Sequence, residues 1–258
     1  MTVGSPVSAW RVVDLRQFTS HELKDLFEEE RQCWEKELQW DFSQTSTFIG
    51  SCLDAQRLTG YVLLKDLIPL GYSFFVYDEG PKAIICNVFA SPRTDRAECA
   101  RLLLRHLIET LQATPGINRI EAQLPQFSLE DVIVGFKLKG FQAFGRQFMI
   151  YDLRLSSPWP ILLNKDIELE DWGEREEGVV AALIHESYKG HVDSEINLQY
   201  CSRQGALQVV ENITQHQGCG IFEPKDSILA VHVPTGVCCG AALVTSVGAS
   251  SGHIPQIC

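Results

Sequence analysis

Around position 90 the chain runs Ala83-Ile-Ile-Cys-Asn-Val-Phe-Ala-Ser-Pro92, then Arg93-Thr-Asp-Arg-Ala-Glu-Cys-Ala-Arg101, then an apolar helical stretch to about Leu111. A strand, a proline turn and an arginine-bearing loop opening a long helix suit anion binding. The first amides of a helix lack intrahelical acceptors, and its dipole favours negative charge there. The segment also reads as an ordinary strand, turn and helix with a good cap. Asp95 and Glu98 have Asp-x-x-Glu spacing, and an Asp bonded to the N2 or N3 amide would occupy donors that an anion needs. Arg93, Arg96 and Arg101 push the other way. The last residues, His253-Ile-Pro-Gln-Ile-Cys258, echo the strand portion, with Asn87 on Gln256, Val88 on Ile257 and Phe89 on Cys258. An amide such as Gln256 is no base near pH 7, but it can orient a water. His253 titrates in the working range and also suits the exposed start of a strand. His185, His191 and Asp193 lie close in sequence, but no supporting ligand set accompanies them, so no metal is expected.

These groups are carried by a chain of 258 residues with 45% hydrophobic and 21% charged residues, long enough for one large domain or two ordinary ones. The net charge of −11 leaves no basic stripe to neutralise phosphates, which argues against a nucleic-acid partner. An acidic balance favours cationic ligands such as amines and equally serves solubility. Nine cysteines, none in a Cys-x-x-Cys pair, read as reduced core thiols of a cytoplasmic protein. No signal peptide and no apolar run of membrane-spanning length is present, so no membrane partner is expected.

Ser156-Ser-Pro-Trp-Pro160 reads as a linker, because two prolines in three residues continue neither a helix nor a central strand. On each side the same order of elements is expected. Before it come a strand at 10–15 and a helix with a Thr19/Glu22 capping box and apolar Leu23, Leu26, Phe27, Trp34 and Leu38. A polar stretch follows, then strands at 60–65, 71–77 and 82–89. The helix 96–111 carries Ala100, Leu103, Leu104, Leu107, Ile108 and Leu111 on one face. A fifth strand at 119–124, a helix capped by Ser128 and closed by Gly140, and one or two strands within 141–153 complete this copy. After the linker come a strand at 166–169, helices around 176–188 and 204–215, and strands at 227–233, 237–247 and 252–258, with a tight turn at Pro234-Thr-Gly236.

The segment 83–101 resembles the signature of the GNAT N-acetyltransferases, in which strand four holds the pantetheine of acetyl-CoA and the next loop cradles its pyrophosphate. Phe136-Lys-Leu-Lys-Gly140-Phe141 is similar to the family's Tyr-x-x-x-Gly-Phe. Ser227-Ile-Leu-Ala-Val231, Gly240-Ala-Ala-Leu-Val244 and 253–258 look like strands two, three and four of a second copy. The resemblance implies an α+β fold of two GNAT-like domains, each a mixed sheet flanked by helices, at 1–155 and 166–258 with 156–165 as linker. It further implies an acyl-CoA-dependent N-acyltransferase, with acetyl-CoA as co-substrate and a small-molecule or peptide amine as acceptor. The alternative is a non-catalytic interaction or acyl-CoA-sensing module.

Copy by copy, the resemblance assigns roles to residues of this chain. In the first copy Val88, Phe89 and Arg96 fall at cofactor positions. The family's loop glycines are replaced by Asp95-Arg-Ala-Glu98-Cys, and Phe136, which has no proton to donate, stands at the tyrosine position. Phe136 also reads simply as a core residue. The first copy is therefore expected to be a scaffold. In the second copy Gln256 stands where many members carry a glutamate base, Ile257 and Cys258 fall at cofactor positions, and Tyr188 and Tyr200 line the acceptor wall. These tyrosines equally suit a core. The second copy stops before its loop and helix, so the natural protein is expected to continue. Otherwise another chain, as in a homodimer, or the first copy would cover Leu243, Val247, Ile254 and Ile257. As it stands the chain is expected to transfer acyl groups poorly.

Overall fold

Helix starts, apolar stripes and turns account for most of the architecture of the computed structural model, which describes residues 10–78, 80–124, 130–155, 160, 164–173, 176–216 and 218–258. The chain divides into two compact units, Met1–Glu37 with Phe42–Gly145, and Leu38–Asp41 with Arg146–Cys258. Residues 146–155, read from sequence as part of the first copy, thus group with the second unit. Most of the linker lies outside the described residues.

In the first unit β1 (Trp10–Asp14) leads to α1 (Lys24–Leu38). The capping box forms reciprocally: Thr19 N donates to Glu22 Oε2 at 2.8 Å, and Glu22 N donates to Thr19 Oγ1 at 3.3 Å. The buried face of α1 consists of Leu26, Phe27, Glu30 and Cys33. The polar stretch after it, given no element from the sequence, forms α2 (Ser43–Asp54). Its hydroxyls turn back onto the helix, Thr47 to the Ser43 carbonyl and Ser51 to that of Thr47, instead of competing with it. Strands β2 (Thr59–Lys65), β3 (Ile68–Tyr77) and β4 (Lys82–Ala90), the long helix α3 (Arg96–Ala113), β5 (Arg119–Ala122) and α4 (Glu130–Leu138) follow.

The sheet order is β1-β2-β3-β4-β5, antiparallel except for the parallel β4–β5 pair. Helix α3 buries Leu103, Leu104, Leu107, Ile108 and Leu111 against Leu63, Phe75, Ala83 and Ile85. At about 2 kcal/mol per aliphatic side chain, that face contributes on the order of 10 kcal/mol. The end of α4 is closed by Gly140 at φ +85°, with Phe141 N donating to the Phe136 carbonyl and Gly140 N to that of Lys137. The Phe136 and Phe141 rings meet across this Schellman turn at 5.0 Å. Ser128, expected as its N-cap, lies outside the described residues. The strands expected within 141–153 are absent. That stretch pairs with no sheet, and Met149, Tyr151 and Leu153 are exposed; a strand-like composition forms a strand only where a partner edge receives it.

The second unit contains β6 (Ile167–Asp171), α5 (Glu177–Ser187), α6 (Val192–Ile196), α7 (Arg203–Thr214), β7 (Ile221–Phe222), β8 (Ile228–His232), β9 (Val237–Gly248) and β10 (Ser251–Ile257). The order is β10-β9-β8-β6 with β7 beside β9, and every pair is antiparallel. Gly236, at φ +65°, makes the β8–β9 turn that its sequence predicts. Helices α5 and α7 pack Val180, Ala181 and Ile184 with Ala206 and Val210 over Leu229 and Ala241. Of the four apolar residues expected to be exposed, Leu243 and Val247 are buried, Leu243 beneath Val209 and Ile213 of α7; Ile254 and Ile257 are exposed. Among the described residues no helix is long and apolar enough to cross a membrane.

Candidate functional site

Both candidate strands contain a bulge next to the residue of interest. In β4 the register passes from Phe74↔Asn87 to Phe75↔Ile85, so Cys86 is the extra residue. In β10 it passes from His253↔Thr245 to Gln256↔Leu243, so Ile254 and Pro255 face one residue of β9. A bulge interrupts the ladder and re-aims the residues after it. Both amides, Asn87 and Gln256, are buried.

Gln256 is 3% exposed and held by two tyrosines. Its Nε2 donates to Tyr188 Oη at 3.0 Å, and its Oε1 accepts from Tyr200 Oη at 3.3 Å. The two rings stack at 4.3 Å and 13°. Burial, with Tyr188 second, pushes the Tyr200 hydroxyl up to about 12. The structure therefore brings Gln256, Tyr188 and Tyr200 into one cluster. Ile257, 65% exposed, pairs with Ala242 between hydrogen-bonded neighbours, because Cys258 exchanges both backbone bonds with Ala241. A residue in such a non-hydrogen-bonded pair points its own N–H away from the partner strand, here toward the outer edge of β10. The Cys258 N–H is taken by the ladder, and burial pushes its thiol up to about 11. Cys258 thus has no amide to offer a ligand.

The remaining sequence-predicted groups scatter. His185 Nδ1 meets the Tyr200 carbonyl, and His191 caps α6 through Asp193 N. Asp193 pairs with Arg146 at 2.6 Å. His253 stacks near Phe148, and burial lowers its pKa.

In the first unit β4 and β5 pair from Lys82↔Arg119 to Ile85↔Ala122, and among the described residues β4 has no ladder partner on that side from Cys86 onward. Phe89 is a core side chain against Tyr72, and Val88 is half-buried, so each would meet a ligand mainly through backbone. In the loop Asp95 Oδ1 accepts from Glu98 N at 3.1 Å, the cap its spacing predicts. Arg93 is held by Ser91 Oγ and by Glu29 Oε1 at 2.5 Å. Arg96 is half-buried at the first turn of α3.

Sequence reasoning missed Glu30. This carboxyl of α1, 2% exposed, accepts from Tyr72 Oη and from Asn87 Nδ2 at 3.1 Å. Burial pushes it up to about 7, against the pull of hydrogen bonds from Tyr72, Trp34 and Asn87. A signal was present: position 30 lies three and four residues after Phe27 and Leu26, on the apolar stripe itself.

No family model matches the chain, and no curated protein matches it in sequence. Solved structures do. A GCN5-related N-acetyltransferase from Sphaerobacter thermophilus superposes with a TM-score of 0.57 at 11% identity, over 96% of this chain and 75% of that one. A tandem GNAT protein from the clavulanic acid biosynthesis pathway gives 0.48 at 14% identity, over 93% and 75%. A probable acetyltransferase gives 0.41 at 18% identity, over 57% and 99%. The chain has an α+β fold of GNAT type, and the first of these likenesses spans nearly all of it.

Proposed function

We propose that the chain is an acyl-CoA-dependent N-acyltransferase, with acetyl-CoA as co-substrate and a small-molecule or peptide amine as acceptor. The domains are read as 1–155 and 166–258, with the chemistry expected in the complete second domain and the first as scaffold. The observation that carries this is the non-hydrogen-bonded place of Ile257 in the β10–β9 ladder, which aims its N–H outward beside the buried Gln256–Tyr188–Tyr200 cluster. An outward strand amide is the donor a thioester carbonyl needs as it becomes an oxyanion. Gln256 cannot take the amine proton itself, and its role is to orient the water that does. Tyr188 and Tyr200 fix that amide and wall the acceptor side. In the first copy, Asp95 occupies an amide that a pyrophosphate would use, and Phe136 is packed on Phe141 with no proton to give.

The second reading, a non-catalytic module, rests on that acid-capped loop. Amine-dependent release of CoA thiol from acetyl-CoA by protein carrying the complete second domain, with polyamines, amino acids and peptides as acceptors, separates the two. Release that falls about a hundredfold or more in Ile257→Pro, which removes the N–H, supports the enzyme. Binding of acetyl-CoA without release for any acceptor favours the module. Release that survives Ile257→Pro but is lost on changing Asn87 would place the chemistry in the first copy and overturn this assignment.

A further inference from the structure

Helix α1 is fastened to the first sheet at its centre by a single ionisable side chain. Of its four buried residues, Leu26, Phe27 and Cys33 are apolar or nearly so, and Phe27 meets Tyr72 edge-on at 5.3 Å. The fourth, Glu30, reaches Tyr72 on β3 and Asn87 on β4. Neither partner is a cation. One turn further along α1, Cys33 lies in the field of Arg96 at the start of α3 and of Glu37, Glu30 and Glu29, and Glu29 itself is paired with Arg93 at 2.5 Å. Tyr72 stays a neutral donor, its own pKa raised by burial and by Glu30. A carboxylate formed in this place would be a buried charge whose hydrogen-bond partners carry no compensating charge, whereas the carboxylic acid fits.

We propose that Glu30 makes α1 an acid-strengthened latch. Protonated, it holds the helix down on β3 and β4; ionised, it lets the helix open locally and uncover Tyr72, Asn87 and Phe89. That face carries the β4 bulge and the part of β4 that has no β5 partner among the described residues, so the latch governs access to that stretch of β4.

The direction follows from the folded value near 7 against 4.5 for the free side chain. The closed helix binds the proton more tightly than the open one. Its extra stability is therefore complete below about pH 4.5, falls as pH rises, and is gone above about 7. For one proton the opening constant rises toward tenfold per pH unit within that window, on the order of fiftyfold between pH 5 and 8.

Amide hydrogen exchange of the whole chain, corrected for the intrinsic rate at each pH, reads this directly. Protection of α1 should fall on the order of fiftyfold from pH 5 to 8 and level off near the upper end. In Glu30→Gln it should be flat with pH, because the amide oxygen still accepts from Tyr72 but carries no charge. In Tyr72→Phe, which removes a donor to the charged form, the levelling should move to higher pH. A merely structural loss would lower protection at every pH without moving it. Exposed Glu28→Gln should leave the profile unchanged. Protection of α1 that does not vary with pH in the wild type, or a Glu30→Gln profile equal to it, overturns the latch. Should Glu30→Gln not fold, an unmoved profile in Tyr72→Phe does the same.

Discussion

Replacing Asp95 and Glu98 together by glycine should convert the first unit's loop from an anion-repelling to an anion-accepting one. Helix α3 presents the amides of Arg96, Ala97 and Glu98 without intrahelical acceptors, and Asp95 Oδ1 takes the last of them at 3.1 Å. Two carboxylates stand at this end. For each charge of a pyrophosphate about 6 Å from an exposed carboxylate, the repulsion in water is about 0.7 kcal/mol. Two carboxylates against two charges sum to about 3 kcal/mol, and physiological salt screens roughly half of it. The freed amide adds to the gain, so the double variant should bind pyrophosphate or CoA about ten- to thirtyfold more tightly. Losing the cap and its favourable charge costs the helix about 1 kcal/mol, too little to unfold the unit. Calorimetry on the full chain at low and physiological salt is the assay. The unaltered loop should bind with a dissociation constant weaker than about 10 μM. No gain in the variant, or a gain insensitive to salt, would refute electrostatic blocking, and tighter binding by the unaltered loop would refute blocking altogether.

Three further outcomes follow from burial and close approach. Gln256→Leu strands the Tyr188 and Tyr200 hydroxyls and should cost about 2–3 kcal/mol in urea unfolding; less than about 0.5 would mean that the cluster is not formed. Gly60→Ala should cost more than about 3 kcal/mol, because the new Cβ would lie 1.9 Å from the Ser73 carbonyl oxygen and 2.7 Å from Phe74 Cα, both main chain. A thermal midpoint unchanged within about a degree would contradict that. Leu107→Ala, at a fully buried position of α3, should cost about 2–5 kcal/mol, and a loss below about 1 would mean that the helix face repacks.

What could be read from the sequence was whatever short-range chemistry decides. The α1 capping box, the Asp95 cap, the α3 stripe, the Gly140 closure and the β8–β9 turn each involve residues within a few positions of one another, and all are formed. Helix α2 was hidden because its first turns are hydroxyl side chains whose bonds back to the helix leave no apolar period to count. Residues 141–153 have strand composition, but pairing is decided by the availability of an edge elsewhere, which no local pattern records.

The sites divide along the same line. A family resemblance could point to Gln256, Tyr188 and Tyr200 one at a time. That three residues separated by as many as 68 positions close one hydrogen-bonded cluster is a property of the folded sheet. The bulges are less legible still, since one surplus residue in β4 and one in β10 change no hydropathy pattern, yet they decide which amides are left without partners. Glu30 is the instructive case. It stands among Glu28, Glu29, Glu35 and Glu37, so charge counting files it with a solvated face. Its phase on the helix, three residues after Phe27 and three before Cys33, sets it on the buried stripe instead. Phase and residue type disagree there, and a buried acid whose hydrogen-bond partners carry no compensating charge is what their disagreement means physically.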